Sequence, residues 1–440
     1  MKMSKDILLS ANDGKYNSFP GMLFTKEKRL ITAWRSGDLH VESIPAYIKG
    51  AYSDDMGKTW QLKDLLMDET IDARDIRFSQ SRTGRIFMTY QVSNAAPKIR
   101  YSDDNGDTWN ELFDFSTMFE PDTHFGFGKL VEDNQGGLYY GIYQYDVAGT
   151  YTQKVVRSYD DGVTWSQPFI VNNETGKYNC EMALTFIPNQ SNLSEERNPA
   201  ISTGEGFLIG VIRPHSGDSF IVTSFDRGGT WTKSDTPLGF TAHGADMIYS
   251  EGKLIISYRD AGGSPAVRIS DDLGFTWSDA LVLSEARGGY SQLAHIGTGV
   301  YAVTYYTDEG GFSTLGDEAD VFFRFLNIDE MPKVNKIWRF LTDQSVAASS
   351  NVLVKRSMRL DRYSKIKLFL KSDAIHKKTI QINWSFDGVT TAFSETLSEE
   401  VTDNFNLTLE AKAPFITQIR IYNSDSESSH VFNFRVHLVS

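Results

Sequence analysis

Short stretches in which hydrophobic and polar residues alternate run through most of the chain, and this pattern is typical of β-strands with one buried face. Six pairs of such stretches are each joined by a short polar turn, the first at residues 17–34 (NSFPGMLFTKEKRLITAW) and the second at residues 75–90 (DIRFSQSRTGRIFMTY). The other pairs occupy residues 124–143, 179–212, 243–258 and 290–305. The pattern predicts an all-β protein.

An eight-residue box, Ser-X-Asp-X-Gly-X-Thr-Trp, follows each of the first five pairs. The boxes lie at residues 53–60, 102–109, 158–165, 224–231 and 270–277. Their tryptophans are spaced by 49, 56, 66 and 46 residues, which is close to the length of a four-stranded propeller blade. Asp and Gly favour a tight turn, Thr continues a strand and Trp packs between sheets, so we expect the boxes to be structural.

The repeat also predicts the domain organisation. A strand-like stretch without a box, VFFRFLNI at residues 321–328, follows the sixth pair, so we predict a six-bladed β-propeller over residues 1–332 with a degenerate last blade. Residues 333–344 would be a linker. Residues 345–440 contain further alternating stretches such as KIKLFLKS and TIQINWSF, and we predict a C-terminal antiparallel β-sandwich for trimerisation or carbohydrate binding.

The charge and cysteine content narrow the choice of partners. Acidic residues outnumber basic ones by 57 to 44, so the field around the protein should repel nucleic acid and anionic membranes. We therefore expect no nucleic acid partner and no membrane insertion. Cys180 is the single cysteine, which excludes an internal disulfide, and we expect it to be a buried small hydrophobe. We expect neither a metal nor an organic cofactor.

Five boxes on a six-blade rhythm resemble the sialidase (neuraminidase) superfamily over about residues 12–330. Because unrelated propellers carry the box too, the site residues need support of their own. The resemblance implies that the first strand of each blade, and the loop after its second strand, face a central cleft. In that family, arginines in the cleft bind a sugar carboxylate, and a tyrosine activated by a glutamate is the nucleophile.

Three arginines lie at the ends of predicted second strands: Arg35 (ITAWRSGD), Arg213 (IGVIRPHS) and Arg259 (IISYRDAG). Arg213 and Arg259 each precede their box serine by eleven residues, which indicates that both side chains point the same way. Paired guanidinium groups suit a carboxylate, since each can make two charge-assisted hydrogen bonds. The alternative is that they are exposed loop arginines paired with Asp218 and Asp260.

Further candidates lie at the starts of predicted first strands: Asp75, Arg77, His124, Glu181, His243 and Tyr290. Glu181, in YNCEMAL, resembles the family's glutamate, and Tyr290, in GGYSQLAHIG, resembles its nucleophilic tyrosine. A phenol has a pKa near 10 and needs a neighbouring group to take its proton. Arg77, His124 and His243 are candidates for substrate binding. As alternatives, Glu181 and Tyr290 could cap strands or fill the channel, and the histidines could be structural.

The sequence also departs from the family's pattern. Sialidases begin with Phe-Arg-Ile-Pro, whose arginine completes a carboxylate-binding triad, whereas this chain has NSFPG, with Ser18 or Phe19 in the place of the arginine. For the acid/base residue, Asp38 is the nearest candidate, followed by His40. These departures are more similar to the phage endosialidases than to exo-sialidases.

The function that the resemblance implies is a sialidase-type glycoside hydrolase acting on an acidic polysaccharide or sialylated glycan. In this reading Tyr290, Glu181, Asp38 and His40 are catalytic. A non-catalytic receptor-binding protein and a polysaccharide lyase on the same fold are the alternatives. The start, MKMSKDILLSANDGKYN, lacks the apolar stretch of a signal peptide, so we expect a location on a virion tail or release on lysis, with a cytoplasmic location as the alternative. The missing signal peptide, the single cysteine and the C-terminal β-sandwich fit a phage tail protein, whose terminal domain would make it a homotrimer.

Overall fold

The computed structural model describes residues 6–10, 13–145, 149–188, 206–234, 237–308 and 318–327, followed by the strands of the C-terminal part. The chain divides into two compact units. One comprises Met1–Phe275 with Ala280–Pro332, and the other comprises Thr276–Asp279 with Lys333–Ser440. Each unit is described separately below.

Strands make up almost all of the regular structure of the first unit, and the 3-10 turn Phe115–Thr117 is the one helical segment among the described residues. The first twelve strands are β1 (Ile7–Leu8), β2 (Tyr16–Phe24), β3 (Leu30–Gly37), β4 (Tyr47–Ser53), β5 (Gln61–Leu66), β6 (Ala73–Gln80), β7 (Ile86–Val92), β8 (Lys98–Ser102), β9 (Asn110–Glu111), β10 (His124–Glu132), β11 (Leu138–Tyr145) and β12 (Tyr151–Ser158). The next twelve are β13 (Phe169–Asn172), β14 (Asn179–Ile187), β15 (Phe207–Pro214), β16 (Phe220–Ser224), β17 (Thr232–Lys233), β18 (His243–Ser250), β19 (Lys253–Arg259), β20 (Pro265–Ser270), β21 (Leu281–Val282), β22 (Arg287–Gly297), β23 (Val300–Asp308) and β24 (Ala319–Asn327).

These strands form a β-propeller arrangement. Four separate sheets each contain four consecutive strands in sequence order, namely β6–β9, β10–β13, β14–β17 and β18–β21. An eight-stranded sheet joins β22–β24 to β2–β5, and β1 pairs with β24. The strands β2, β6, β10, β14, β18 and β22 lie against one another in a closed ring. Any side chain at the start of one of these first strands is therefore close to its counterparts on the neighbouring first strands.

Buried polar side chains connect the first strands to one another. The side-chain oxygen of Gln292 accepts hydrogen bonds from the backbone N–H groups of Met22 (2.9 Å) and Phe78 (3.0 Å), and its nitrogen donates to the Phe78 carbonyl (2.7 Å). Asp246 accepts a hydrogen bond from Lys129 at 2.7 Å. Because such bonds are strong in a buried setting, they fix the relative positions of strands that belong to different sheets.

The boxes form the tight turns that the sequence predicts, and each joins the third and fourth strands of its run. In the first box, Ser53 donates to the Asp55 carboxylate (2.8 Å) and accepts from the N–H of Gly57 (2.8 Å). The same carboxylate accepts from the Thr59 N–H (2.9 Å) and hydroxyl (2.7 Å), and the Trp60 indole N–H donates to the Gly57 carbonyl at 3.2 Å. One carboxylate thus satisfies most of the polar groups of the turn.

Each box contains a second strained position that the pattern does not reveal. The residue before the conserved glycine also has a positive φ in all five copies, between 57° and 61°. These residues are Met56, Asn105, Asp161, Arg227 and Leu273. The box therefore needs two successive left-handed residues, and only the second is glycine.

The C-terminal unit consists of two antiparallel sheets. One has the strand order β25–β33–β28–β31 and the other β26–β32–β29–β30, with β27 on β32. Their strands are β25 (Ile337–Val346), β26 (Asn351–Lys355), β27 (Met358–Arg359), β28 (Lys365–Ser372), β29 (His376–Ser385), β30 (Phe393–Val401), β31 (Asn404–Glu410), β32 (Phe415–Asn423) and β33 (His430–Val439). Among the residues described in either unit, no helix is both long and apolar enough to cross a membrane.

Candidate active site

Backbone distortions mark the starts of several first strands. Phe19 (φ 53°), Asp75 (56°), Gly244 (55°) and Tyr290 (46°) all have positive φ, and each lies where the register with the second strand shifts. At such a β-bulge two residues face one, so that a side chain can be turned out of the normal alternation. A residue other than glycine with positive φ costs about 1–3 kcal/mol, a strain that proteins concentrate at functional sites.

Tyr290, Glu181 and Arg213 form a hydrogen-bonded cluster where these first strands meet. The Tyr290 hydroxyl donates to Glu181 Oε1 at 2.5 Å. Arg213 donates from Nη1 both to Glu181 Oε1 (2.7 Å) and to the Tyr290 hydroxyl oxygen (3.1 Å). The other carboxylate oxygen accepts from the N–H of Gly244 at 2.8 Å. Three residues that the sequence assigns to one cleft are therefore in direct contact, although their positions in the chain span 110 residues.

The charges of the cluster determine its resting protonation state. Burial raises the pKa of the Glu181 carboxyl, but the charge of Arg213 and the hydrogen bonds outweigh burial and lower this pKa to about 2. Burial raises the pKa of the Tyr290 phenol well above its usual range, and the negative charge of Glu181 raises it further. The resting cluster therefore pairs a neutral phenol with an ionised carboxylate that can accept its proton.

Arg259 lies on the other side of Tyr290. Its guanidinium carbon is 5.0 Å from the centre of the Tyr290 ring, and its Nη2 is 3.4 Å from His243 Nδ1. Burial, followed by the charges of the two site arginines, lowers the pKa of His243 to about 4, so this imidazole is neutral. Two glycines make the close packing possible, since a Cβ on Gly289 would lie 2.5 Å from Arg259 Cβ, and one on Gly244 would lie 2.5 Å from the Tyr290 ring.

An aromatic wall stands where the resemblance places the missing arginine. The Phe19 ring contacts the rings of Tyr290 (5.1 Å), His40 (5.1 Å) and Tyr306 (5.7 Å). His40 Nδ1 is 3.0 Å from the Tyr16 hydroxyl, and burial, with the charge of Arg259 next, lowers the pKa of His40 to about 4. His40 therefore borders the cluster as a neutral ring, separated from Tyr290 by Phe19.

Asp75 is the acidic residue that sequence reasoning left without a role. Burial raises the pKa of Asp75 to about 6, while the charge of Arg74 opposes the rise. Its Oδ1 is buried and has no hydrogen-bond partner, and its charge acts on Tyr290. A half-buried carboxyl with an unsatisfied oxygen and a pKa near neutrality is suited to donate a proton. Its position at the start of a first strand was the available signal.

Arg35 and Arg77 occupy buried positions that hold the scaffold. Arg35 donates to the Asp72 carboxylate at 2.7 Å and to the Leu39 carbonyl at 2.5 Å, and both members of this ion pair are fully buried. Arg77 donates to the carbonyls of Pro20 (3.2 Å) and Ile76 (2.8 Å). Breaking a buried ion pair by removing one partner is costly, so the contact with Asp72 gives Arg35 a structural role. Arg77 holds the scaffold through its hydrogen bonds to backbone carbonyls.

The structure does not bring Asp38 and His124 into the cluster. Asp38 forms an ion pair with Lys15 at 2.5 Å, and its side chain is 58% exposed. His124 contacts the Thr123 hydroxyl through Nδ1 (2.9 Å) and the Lys154 ammonium through Nε2 (3.4 Å). Neither residue has a contact with Tyr290 or Glu181 among those described.

Within the part of the chain that the structure describes, no group of three or more His, Cys, Asp or Glu side chains is placed to hold a metal ion. The fold and the site together define a β-propeller with a buried tyrosine–glutamate–arginine cluster at the ring of first strands. The chain belongs to the BNR repeat-like domain family, whose sequence profile matches residues 28–303, more than half of its length. Its propeller shares the fold of solved sialidase structures.

Solved structures show the same fold at low sequence identity. The intramolecular trans-sialidase from Ruminococcus gnavus, in complex with oseltamivir carboxylate, aligns with a TM-score of 0.58 and 15% identity over 74% of this chain and 98% of its own. Trypanosoma rangeli sialidase aligns with a TM-score of 0.56 and 12% identity over 99% and 94%. A protein of unknown function from Dyadobacter fermentans gives 0.59 and 17% over 74% and 99%. At these identities the likeness concerns the fold alone.

Proposed function

We propose that the propeller is a glycoside hydrolase of the sialidase type that cleaves an acidic glycan. The contact that supports this proposal most directly is the hydrogen bond between the Tyr290 hydroxyl and the ionised Glu181 carboxylate (2.5 Å), with Arg213 bridging both groups. A tyrosine nucleophile is characteristic of sialidases among the glycosidases. Arg213 and Arg259 would hold the sugar carboxylate through charge-assisted hydrogen bonds.

The reaction would proceed in two balanced steps. In the first, the Tyr290 oxygen bonds to the anomeric carbon as the glycosidic C–O bond breaks, Glu181 takes the phenolic proton and Asp75 protonates the leaving oxygen. In the second, water attacks the anomeric carbon, Asp75 takes a proton from the water, and Glu181 returns its proton to the departing Tyr290. Asp75, with a pKa of about 6, replaces Asp38 as the proposed acid/base residue, because Asp38 lies in an exposed ion pair.

The finer architecture is part of the proposal. The closed ring of six first strands supports six blades, with the eight-stranded sheet counted as two of them. The two antiparallel sheets of the C-terminal unit support the β-sandwich predicted for residues 345–440. The predicted linker at 333–344 is wrong for most of its length, because β25 (Ile337–Val346) already pairs with β33 in one of these sheets. Its role in trimerisation on a phage tail stays a prediction, and light scattering of the purified protein would test it by giving the mass of three chains.

A glycan partner is supported by the structural relatives. Trypanosoma rangeli sialidase is described in complex with sialic acid, and the Ruminococcus gnavus enzyme in complex with oseltamivir carboxylate. The aromatic wall at Phe19, in the place of a triad arginine, favours a second candidate function. In this alternative the propeller binds an acidic glycan without cleaving it.

The test is incubation of the full chain with sialylated oligosaccharides and a panel of acidic capsular polysaccharides, followed by sizing of the products. A hydrolase gives shorter products with new reducing ends, a lyase gives products with the ultraviolet absorbance of an unsaturated uronate, and a binding protein gives neither. The double variant Glu181→Gln with Tyr290→Phe is the control. If this variant folds and still shortens the glycan at the wild-type rate, the assignment of the cluster is wrong.

A further inference from the structure

A second group of aromatic residues lies beside the cluster and has no role in the proposed reaction. This aromatic platform consists of Tyr145, Tyr151, Tyr178 and His215. Tyr145 ends β11 and pairs with Tyr151 at the start of β12, while Tyr178 precedes β14 and His215 follows β15. Tyr145 is 40% exposed, Tyr178 is 45% exposed and His215 is exposed as well.

The rings of the platform contact one another. Tyr151 is at the centre, with ring centroids 5.2 Å from Tyr145, 5.4 Å from Tyr178 and 5.5 Å from His215, all in edge-to-face geometry. Tyr178 and His215 stack at 5.6 Å with 28° between their planes. Aromatic side chains usually bury such surface, so a group of exposed rings indicates a binding surface.

The edges of the platform are polar as well as aromatic. The hydroxyls of Tyr145, Tyr151 and Tyr178 have no hydrogen-bond partner among the described residues. Burial, with the nearby Arg213 charge second, lowers the pKa of His215, so its ring is uncharged at neutral pH. Apolar ring faces with free hydroxyl groups at their edges match a pyranose, which presents C–H groups on one face and hydroxyls around its rim.

The platform is continuous with the cluster. The N–H of His215 donates to the Tyr178 carbonyl at 2.9 Å, one step beyond the pair Asn179–Pro214, so the two residues extend the same ladder that holds Glu181 and Arg213. At about 3.3 Å per residue, Tyr178 lies roughly 10 Å along the strand from Glu181. A ligand held by Arg213 would therefore reach the platform with its next sugar ring.

Tyr143 connects the two regions. Its ring stacks on Tyr151 at 6.0 Å with 17° between the planes, and on Phe125 at 5.2 Å. Burial raises the pKa of the Tyr143 phenol well above its usual range, and the next contribution is the negative charge of Glu181, which places Tyr143 near the cluster. A series of aromatic rings thus runs from Tyr143, near Glu181, through Tyr151 to the exposed Tyr178.

We propose that the aromatic platform binds the pyranose adjacent to the acidic sugar, so that the site takes an oligosaccharide or polysaccharide rather than a lone acidic sugar. This inference rests on the proposed function, because it needs an acidic sugar at Arg213 and Arg259. The ligand is the apolar face of a second sugar ring, which could belong to a neutral sugar or to another acidic one.

The test measures binding to the full-length Tyr290→Phe variant, in which turnover is suppressed. Calorimetric titrations with N-acetylneuraminic acid, 3′-sialyllactose and α2,8-linked disialic acid give the affinity for one sugar and for the two kinds of extended ligand. We expect at least one extended ligand to bind more tightly than the monosaccharide, and we expect Tyr178→Ala to reduce that ratio about tenfold. Whichever extended ligand shows the effect identifies the source of the second ring.

The matched control is Tyr159→Ala, which removes a tyrosine that is 55% exposed in the third box. It should leave the ratio between extended and single-sugar affinities unchanged, and His215→Ala should lower it as Tyr178→Ala does. If the extended ligand still binds more tightly than the monosaccharide in Tyr178→Ala and His215→Ala, the role of the aromatic platform is wrong and the proposed function is unaffected. Equal affinity of the parent for all three sugars has the same meaning. Failure of every sugar to bind the parent overturns the proposed function and this inference with it.

Discussion

Aspartates occur in two contrasting settings in this propeller, the turns of the boxes and the ring of first strands. In the second box, hydrogen bonds from Thr108 and Ser102 outweigh desolvation and lower the pKa of Asp104 to about 2. Asp75 has a buried carboxylate oxygen without a partner, and burial raises its pKa to about 6. The same side chain is thus a turn-forming anion in one place and the proposed proton donor in the other, because the hydrogen-bond donors around it differ.

The backbone shows the same contrast. Both regions contain residues other than glycine with positive φ, such as Asn105 (57°) in a box and Tyr290 (46°) in the ring. In the box, the next glycine and the serine–aspartate hydrogen bonds stabilise the turn that contains the strained residue. In the ring, strain coincides with unsatisfied or perturbed groups. Neither strain nor an unsatisfied buried oxygen distinguishes a functional site by itself, because Asn105 in the box has both. What sets Asp75 apart is that burial also raises the pKa of its carboxyl to about 6.

The largest expected effect comes from the ring. Glu181→Gln removes the proton acceptor of Tyr290 and leaves the Arg213 charge without its carboxylate partner. We expect kcat to fall about 1000-fold, because general-base catalysis by a positioned carboxylate is of this order. Initial rates on a sialylated or capsular substrate measure the loss, with circular dichroism as the check on folding. A folded variant with wild-type kcat would contradict the assigned role.

Asp75→Asn is expected to lower the rate less than Glu181→Gln does, and to raise the stability of the fold. We expect kcat to fall about 100-fold through loss of the acid. The wild-type kcat/KM should fall as the pH rises through about 6, because Asp75 must be protonated, and the variant should lose this dependence. With Glu181 at a pKa of about 2, no acidic limb should appear at moderately low pH.

The sign of the stability change follows from the raised pKa. The folded-state pKa of Asp75 is about 6 against an ordinary value of 3.8, so its favourable contribution is present below pH 3.8 and is lost as the pH rises through 6. Asp75→Asn should therefore stabilise the protein at pH 7 by up to about 3 kcal/mol, and less at pH 4. Thermal unfolding at both pH values measures this. A destabilised variant at pH 7 would show that the carboxylate is satisfied.

In the boxes, the expected effect is on stability alone. Ser102 is fully buried, donates to Asp104 at 2.7 Å and accepts from the N–H of Gly106 at 2.8 Å. Ser102→Ala leaves that N–H unsatisfied, so we expect a loss of about 1–3 kcal/mol in the free energy of unfolding. Denaturant titration measures the loss, and kcat at low temperature should not change. A large fall in kcat for a folded variant would remove the distinction between the two regions.

The smallest effect is expected at Cys180. Burial raises the pKa of its thiol to about 12, and the next contribution is the negative charge of Glu181. Because the thiolate is the reactive form, a disulfide reagent at pH 8 should not label the folded protein and should label it fully in denaturant. Rapid labelling of native protein would show that the strand beside Glu181 opens, and would weaken the picture of a rigid ring.

The sequence predicted much of the propeller because its signals are local. A turn pattern and alternation depend on neighbouring residues, so the box at residues 53–60 and strands such as β3 follow directly from them. The contact between Glu181 and Tyr290 followed from a family resemblance, since nothing local joins residues so far apart. Asp38 was chosen by its distance along the chain from Arg35, yet it forms an exposed ion pair with Lys15.

The sequence did not predict the positions at which side chains stop alternating between the two faces of a strand. Asp75 and Tyr290 lie in β-bulges, and a bulge reverses the facing of every residue after it. Arg35 shows a related limit, because its partner Asp72 comes from the segment before β6, which belongs to a different sheet. The alternation along a strand predicts which face of the sheet a side chain lies on. It does not predict which residue of a separate sheet that side chain will contact.

The pairing of β1 with β24 has a consequence for how this chain can be made. Ile7 and Leu8 pair with Phe323 and Phe322 of β24, a strand that is synthesised about three hundred residues later, and Asp6 bonds to Arg324 at 2.6 Å and to Tyr305 at 2.7 Å. Residues 6–8 of the nascent protein therefore cannot form these contacts until translation has passed residue 324. Deleting that segment should leave the edge of β24 open to other chains, and the shortened protein should aggregate during expression.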